Sequence, residues 1–217
     1  MPITPAIRAE IEAQPTPNFI LTTGIDGQVS GVFNYDTLDN LDQYRIGDII
    51  GSLCRMRRYA GFGKQPYSIG AHSLLVLHLA EHKWKLDRRE GLSLLAHDFS
   101  EAYMNDLCSP FKRSLPDYKA AEDKCMQAIQ AKLNCDPLDS DLVKVIDAKA
   151  FKHEATVLFG MSEEDIDSIF PRTKGHRLTP LGYLATQLVF SLDQRNLPED
   201  NLALTLSEKL GSLGVII

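Results

Sequence analysis

The sequence has no apolar run near the ~20 residues that a membrane span requires, and no charged-then-apolar leader opens it. Its four cysteines, Cys54, Cys108, Cys125 and Cys135, form neither a C-x-x-C pair nor a zinc-ribbon spacing. A disulfide framework is therefore not expected, and the thiols are read as reduced. Basic charge is also scarce. The 23 Lys and Arg against 29 Asp and Glu leave a net charge of −6, which argues against a binder of nucleic-acid polymers. Internal repeats and low-complexity tracts are missing. These absences predict a cytoplasmic protein with no membrane partner. What is present, 44% hydrophobic and 24% charged residues, is ordinary for a globular chain with an ample core.

Hydrophobic period and breakers predict an all-α fold in three parts. Residues 1–47 form an extended or hairpin wrap: Pro2, Pro5, Pro15 and Pro17 interrupt it, Pro5 to Ala13 suits one short helix, and Phe19 to Thr23 and Val29 to Phe33 suit a small hairpin. Residues 48–160 form the core. There Asp48 is placed to cap a helix from Ile49 to about Arg58, Ser68 starts a helix to about Trp84, and Leu92, Leu95, Phe99 and Ala102 make the stripe of a central helix. Further helices are predicted over Asp117 to Leu133 and Asp141 to Phe159. Residues 161–217 form a C-terminal helical appendage packing on the core, with helices over Glu163 to Phe170 and from Pro180 and Pro198. Its basic loop, Arg172 to Arg177, brings no catalytic constellation with it.

The central helix carries adjacent His97 and Asp98, with Glu101 four residues after the histidine and therefore predicted to share its face. Burying an imidazole and two carboxylates together is costly unless a cation or hydrogen bonds compensate. His72 points inward from the preceding helix, beside Leu75, Val76 and Leu79, and Asp147 lies beside the apolar stripe of a later one. His72, His97, Asp98 and Asp147 make a mixed nitrogen–oxygen set suited to Mn²⁺, Co²⁺, Fe²⁺ or Zn²⁺. Glu101 and Asp106 remain for proton transfer. Arg55, Arg57, Arg58, Lys64 and Lys112 can contact phosphate. A second pattern, His78-x-x-Glu81-His82, matches one metalloprotease signature, but its histidines fall away from His72 beside Lys83 and Lys85 and read as solvated.

The order His72…His97-Asp98…Asp147 resembles the HD-domain metal-dependent phosphohydrolases. The segment from Asp48 through Arg55, Arg58 and Tyr59 to Gly61 is similar to the arginine-aromatic helix of their short bacterial and phage members. Tyr67-Ser68-Ile69-Gly70-Ala71-His72-Ser73 resembles their Y-S-V-A-E-H-S, and His97-Asp98-x-x-Glu101 through Asp106, Pro110 and Lys112 resembles their H-D-x-x-E-x-x-x-x-D-x-x-x-P-x-K. Asp147 followed by Glu154 is similar to their last ligand and its trailing glutamate, which puts Glu154 with the substrate-binding residues. The resemblance implies a deoxynucleotide substrate cleaved at the 5′-phosphoester, as a dATP-type triphosphohydrolase or a 5′-deoxynucleotidase. It makes Arg58 a phosphate contact and Tyr59 the aromatic that packs on the sugar. A homo-oligomer is expected. Ala71, Phe62 and Ile146 depart from the pattern without touching a ligand. The competing class is a non-catalytic nucleotide- or metal-sensing module, which would need the ligands but not Glu101 and Asp106.

Overall fold

The computed structural model describes residues 4–13, 18–194 and 200–216. Pro2, Pro15, Pro17 and Pro198 lie outside them. The chain opens with α1 (Pro5–Glu12), which Thr4 caps by accepting the Ile7 amide. An antiparallel hairpin follows, β1 (Phe19–Thr23) with β2 (Val29–Asn34), pairing Phe19 with Asn34 and bulged between Thr22 and Thr23. Then come α2 (Ile46–Arg55), α3 (Ile69–Glu81), α4 (Arg88–Ala96), α5 (Glu101–Met104), α6 (Ser109–Lys112), α7 (Pro116–Leu133), α8 (Asp141–Phe159), α9 (Glu163–Ile169), α10 (Pro180–Gln194) and α11 (Asp200–Ser212). The fold is all-α with a short N-terminal hairpin. No helix among the described residues is long and apolar enough to cross a membrane, and all four cysteines are free.

Helix α3 is the hub. Every residue from Ile69 to Leu77 is buried, and α2, α4, α8, α10 and α11 pack around it, the position expected of a helix that is apolar on all sides. Gly70 lets α3 approach its neighbours, since a Cβ there would lie 3.0 Å from Cys54 Sγ and 3.1 Å from Leu206. The C-terminal helices share this core through Ala185, Val189, Phe190, Leu206 and Leu210. The hairpin is fixed by aromatics: Phe33 stacks on Tyr103 of α5 at 4.0 Å between centroids and meets Tyr44 edge-on. Helix α2 begins one turn earlier than Asp48 suggests. Asp48 lies in its first turn, where a carboxylate complements the helix dipole. The helix stops at Arg55, and Tyr59 and Ala60 then adopt left-handed backbone angles (φ 59° and 52°). Gly160, at φ 68°, ends α8, with the Met161 amide reaching back to the Ala155 carbonyl.

Where α8 meets α10, His153 is fully buried and neither ring nitrogen has a hydrogen-bond partner among the described residues. Gly182 makes room for it, since a Cβ at that position would be 2.4 Å from Nε2. Burial, helped by Lys149, lowers His153 to about 4. The folded protein thus binds fewer protons than the unfolded chain between the ordinary value of 6.5 and about 4. Stability should fall as pH drops through that window, by about 3 kcal/mol in all. Urea midpoints across that pH range will check this, and His153→Leu should flatten the slope.

Candidate metal centre

Three helices deliver the cluster. Ser68 caps α3 by accepting the Ala71 amide at 3.1 Å, and Asp193 of α10 holds Ser68 in turn, accepting from its hydroxyl at 2.7 Å and from its amide at 2.9 Å. His72 follows one turn later, pointing inward. His97 stands at the end of α4, and its Nδ1 donates to the Leu94 carbonyl at 2.8 Å. Beyond it the chain winds more tightly, through i to i+3 bonds from Phe99 to Ala96, Glu101 to Asp98 and Ala102 to Phe99. The single central helix expected from the sequence is therefore two helices, α4 and α5, joined by a narrow turn. Three-residue spacing stacks side chains in such a turn, so the neighbour of Glu101 is Asp98 rather than His97. Asp147 comes from the first half of α8.

The ligating atoms of His72, His97 and Asp147 lie within 4.8 Å of one another and can hold a metal ion. The two Nε2 atoms are 3.2 Å apart. Asp98 Oδ2 is 3.6 Å from His72 Nε2 and 3.3 Å from His97 Nε2, and Asp147 Oδ1 is 3.3 Å from His72 Nε2. Tautomers decide what these distances mean. A carbonyl only accepts, so His97 carries its proton on Nδ1. His72 Nδ1 faces Glu154 Oε1 at 2.6 Å, so the neutral ring carries its proton on Nδ1 and offers the Nε2 lone pair to a metal, the place a second proton takes when no metal is bound. With both rings neutral, two imidazole lone pairs and two carboxylate oxygens converge, one of them the buried Asp147 Oδ1, which has no hydrogen-bond partner among the described residues. Such a set repels itself unless a cation sits among it. The residues could hold a metal ion.

The electrostatics agree. Burial opposes ionisation of Asp98, yet His97, Arg58 and His72 hold its carboxyl well below the usual range. Asp147 is likewise low against burial because of His72 and Arg58. Burial and Arg58 push His72 down, but Glu154 and Asp147 outweigh them and raise it to about 9. The pocket draws positive charge, whether proton or metal. Glu101 behaves oppositely: burial first, then Asp98 and Asp106, raise it far above an ordinary carboxyl. Its Oε2 is buried without a hydrogen-bond partner among the described residues, and Lys112 Nζ stands 4.0 Å from Oε1. Asp106 is half-buried, just after Asn105, whose φ of 66° re-aims the chain at the end of α5.

Arg58 lies across the mouth of the cluster, with nitrogens 3.1 Å from Asp98, 3.6 Å from Asp147 and 3.5 Å from Glu154. Two of the side chains expected at the substrate are engaged by the protein itself. Glu154 is fully buried and its carboxylate is used by His72, Tyr59 and Tyr67, so it braces the His72 ring from behind. Arg55 donates to the Ile25 carbonyl at 2.8 Å and ties α2 to the hairpin instead of facing the site. Arg57 pairs with Asp193 at 3.6 Å. Lys64 is exposed with its ammonium beside Gly160. Lys112 is bonded to Glu122 at 2.6 Å. The second histidine pattern is peripheral: His82 is exposed, and half-buried His78 faces Glu81, which binds Lys209.

Sequence reasoning missed two contributors. Tyr67, buried, donates to Glu154 at 2.9 Å. It stands directly before the Ser68 cap, and its place in the Tyr67–Ser73 segment that resembles the HD enzymes was the available signal. Arg172, in the turn Pro171–Thr173, reaches Asp147 Oδ2 at 3.5 Å, and no periodicity links it to the cluster.

No protein-family model matches the chain. It is 32% identical over 155 residues to the uncharacterized protein YfdR of Escherichia coli (strain K12), a match spanning 66% of this chain and 83% of that protein. At that identity and coverage the chain belongs to the YfdR family.

Proposed function

We propose that the chain is a metal-dependent phosphohydrolase of the HD type, cleaving the 5′-phosphoester of a deoxynucleotide. The observation that carries this reading is the convergence of His72, His97, Asp98 and Asp147 beside a buried Glu101 and a guanidinium. A divalent transition metal held there supplies an acidified water and polarises the phosphoryl group. The mixed nitrogen–oxygen donors favour Mn²⁺, Co²⁺, Fe²⁺ or Zn²⁺ over Mg²⁺ or Ca²⁺.

The chain's own residues do the rest. Glu154 fixes the His72 ring. Arg58 turns its donors toward the phosphoryl oxygens, a charge-assisted contact. As water bonds to phosphorus and the P–O bond breaks, Glu101 gives its proton to the departing 5′-oxygen and regains one from the attacking water, and Asp106 beside it favours the protonated carboxyl by repulsion. The ring of Tyr59, edge-on to Phe159 at 5.4 Å and tied by its hydroxyl to Glu154, is the wall against the sugar. Lys64, Arg57 and Lys112 neutralise further phosphates in a triphosphate substrate. A sensing module would have no use for Glu101, whose burial costs stability. Self-association belongs to the same reading, because Leu181, Leu184 and Leu188 form an exposed apolar stripe on α10; a monomeric mass by light scattering would contradict it.

The test is a panel of deoxynucleoside mono- and triphosphates with Mn²⁺ or Co²⁺, the products resolved by chromatography. Release of deoxynucleoside with phosphate or triphosphate is expected, with ribonucleotides used less well. No turnover of any member, with metal bound, would refute the reading.

A further inference from the structure

The 171–177 loop is held by a costly device. Lys152 of α8 is buried, and its ammonium binds Asp167 at 2.9 Å, Glu163 at 3.0 Å and the His176 carbonyl at 2.7 Å. Asp167 also accepts from the Thr173 hydroxyl at 2.7 Å, and Thr173 is fully buried. Burying a lysine is unfavourable unless it is fully paired. Here the pairing pins the turn Pro171–Thr173 from both sides, against α8 and α9.

That turn presents one side chain to the cluster. Arg172 lies with its guanidinium 4.8 Å above the Phe151 ring and one nitrogen 3.5 Å from Asp147 Oδ2. Asp147 thus splits its oxygens, Oδ1 toward the histidines and Oδ2 toward Arg172. The contact is long, and the side chain is 51% exposed, so most of its five N–H donors have no partner among the described residues. Stacking on Phe151 fixes the plane without using donors. Phe151 in turn adjoins Tyr59, at 6.4 Å between centroids.

The geometry points to Arg172 as a substrate-binding residue that takes phosphate oxygens at the exposed edge of the cluster, beside Asp147 Oδ2. This rests on the phosphohydrolase reading and extends it by giving the C-terminal segment a part of the site. Arg58 is largely buried and engaged by three carboxylates, whereas Arg172 is preorganised and accessible. An anion arriving at the cluster meets Arg172 with little to rearrange.

Inorganic phosphate and tripolyphosphate, titrated separately into Mn²⁺-loaded protein by calorimetry, will test this, with metal content measured on the same samples. Arg172→Ala should weaken whichever anion the wild type binds more tightly by roughly tenfold or more, with metal content unchanged. Arg172→Lys should recover only part, because an ammonium lacks the planar fork. Unchanged anion affinity in Arg172→Ala would overturn the assignment while leaving the phosphohydrolase reading standing. Loss of metal in that variant would also overturn it, reducing Arg172 to a brace for Asp147. A wild-type protein that binds metal but neither anion, and cleaves no phosphoester, would sink both.

Discussion

His97→Ala and Asp98→Ala should each lose bound metal and reduce any phosphohydrolase rate roughly a thousandfold or more, because the ion that acidifies water goes with its ligand. Helical content should be nearly unchanged, since neither residue contributes to the apolar core around α3. A stability readout separates ligand loss from unfolding. A ligand that binds only the folded state raises its stability in proportion to the logarithm of concentration. Adding Mn²⁺ should therefore raise the Tm of the wild-type protein and leave that of either variant where it was. Parallel rises in all three proteins would mean that the ion binds somewhere other than this cluster.

Glu101→Gln is expected to keep the metal and slow turnover by roughly 10²–10⁴-fold. The amide has the same shape and can fill the same buried space, but it carries no transferable proton. The raised pKa of Glu101, caused by burial and by Asp98 and Asp106, keeps it protonated where an ordinary carboxyl would ionise, which is the state a proton donor requires. Metal content measured with the rate decides the outcome. Turnover near wild type would remove Glu101 from the proton path. Metal lost in the variant would make the residue a ligand.

The apolar period of the sequence located the helices well where capping residues reinforced it. Ser140 and Gly160 bound α8 and Ser68 starts α3 as their residue types suggest, and alternation with glycines gave the hairpin. The break at His97 was not legible. It depends on an imidazole taking the Leu94 carbonyl, a choice made for the sake of the cluster and invisible to a hydrophobic period that continues through Phe99 and Ala102. The inward direction of His72, His97 and Asp147 was legible because each sits beside an apolar stripe. Which polar groups stand behind them was not. Glu154 reads as one more residue on the Asp147 face, and only the packed structure turns it toward His72, Tyr59 and Tyr67. Arg172 is 25 residues from Asp147 along the chain, placed by a buried lysine that composition gives no reason to expect.

The account stands or falls on a metal at the meeting point of His72, His97, Asp98 and Asp147. Crystals of the protein grown with Mn²⁺ and measured near the manganese absorption edge test this most directly. The account predicts an anomalous peak bounded by His72 Nε2, His97 Nε2, Asp98 Oδ2 and Asp147 Oδ1, with Arg58 and Arg172 beside it. A map with ordered side chains there, no anomalous peak among them, and the His72 Nε2 to Asp147 Oδ1 contact intact would contradict it.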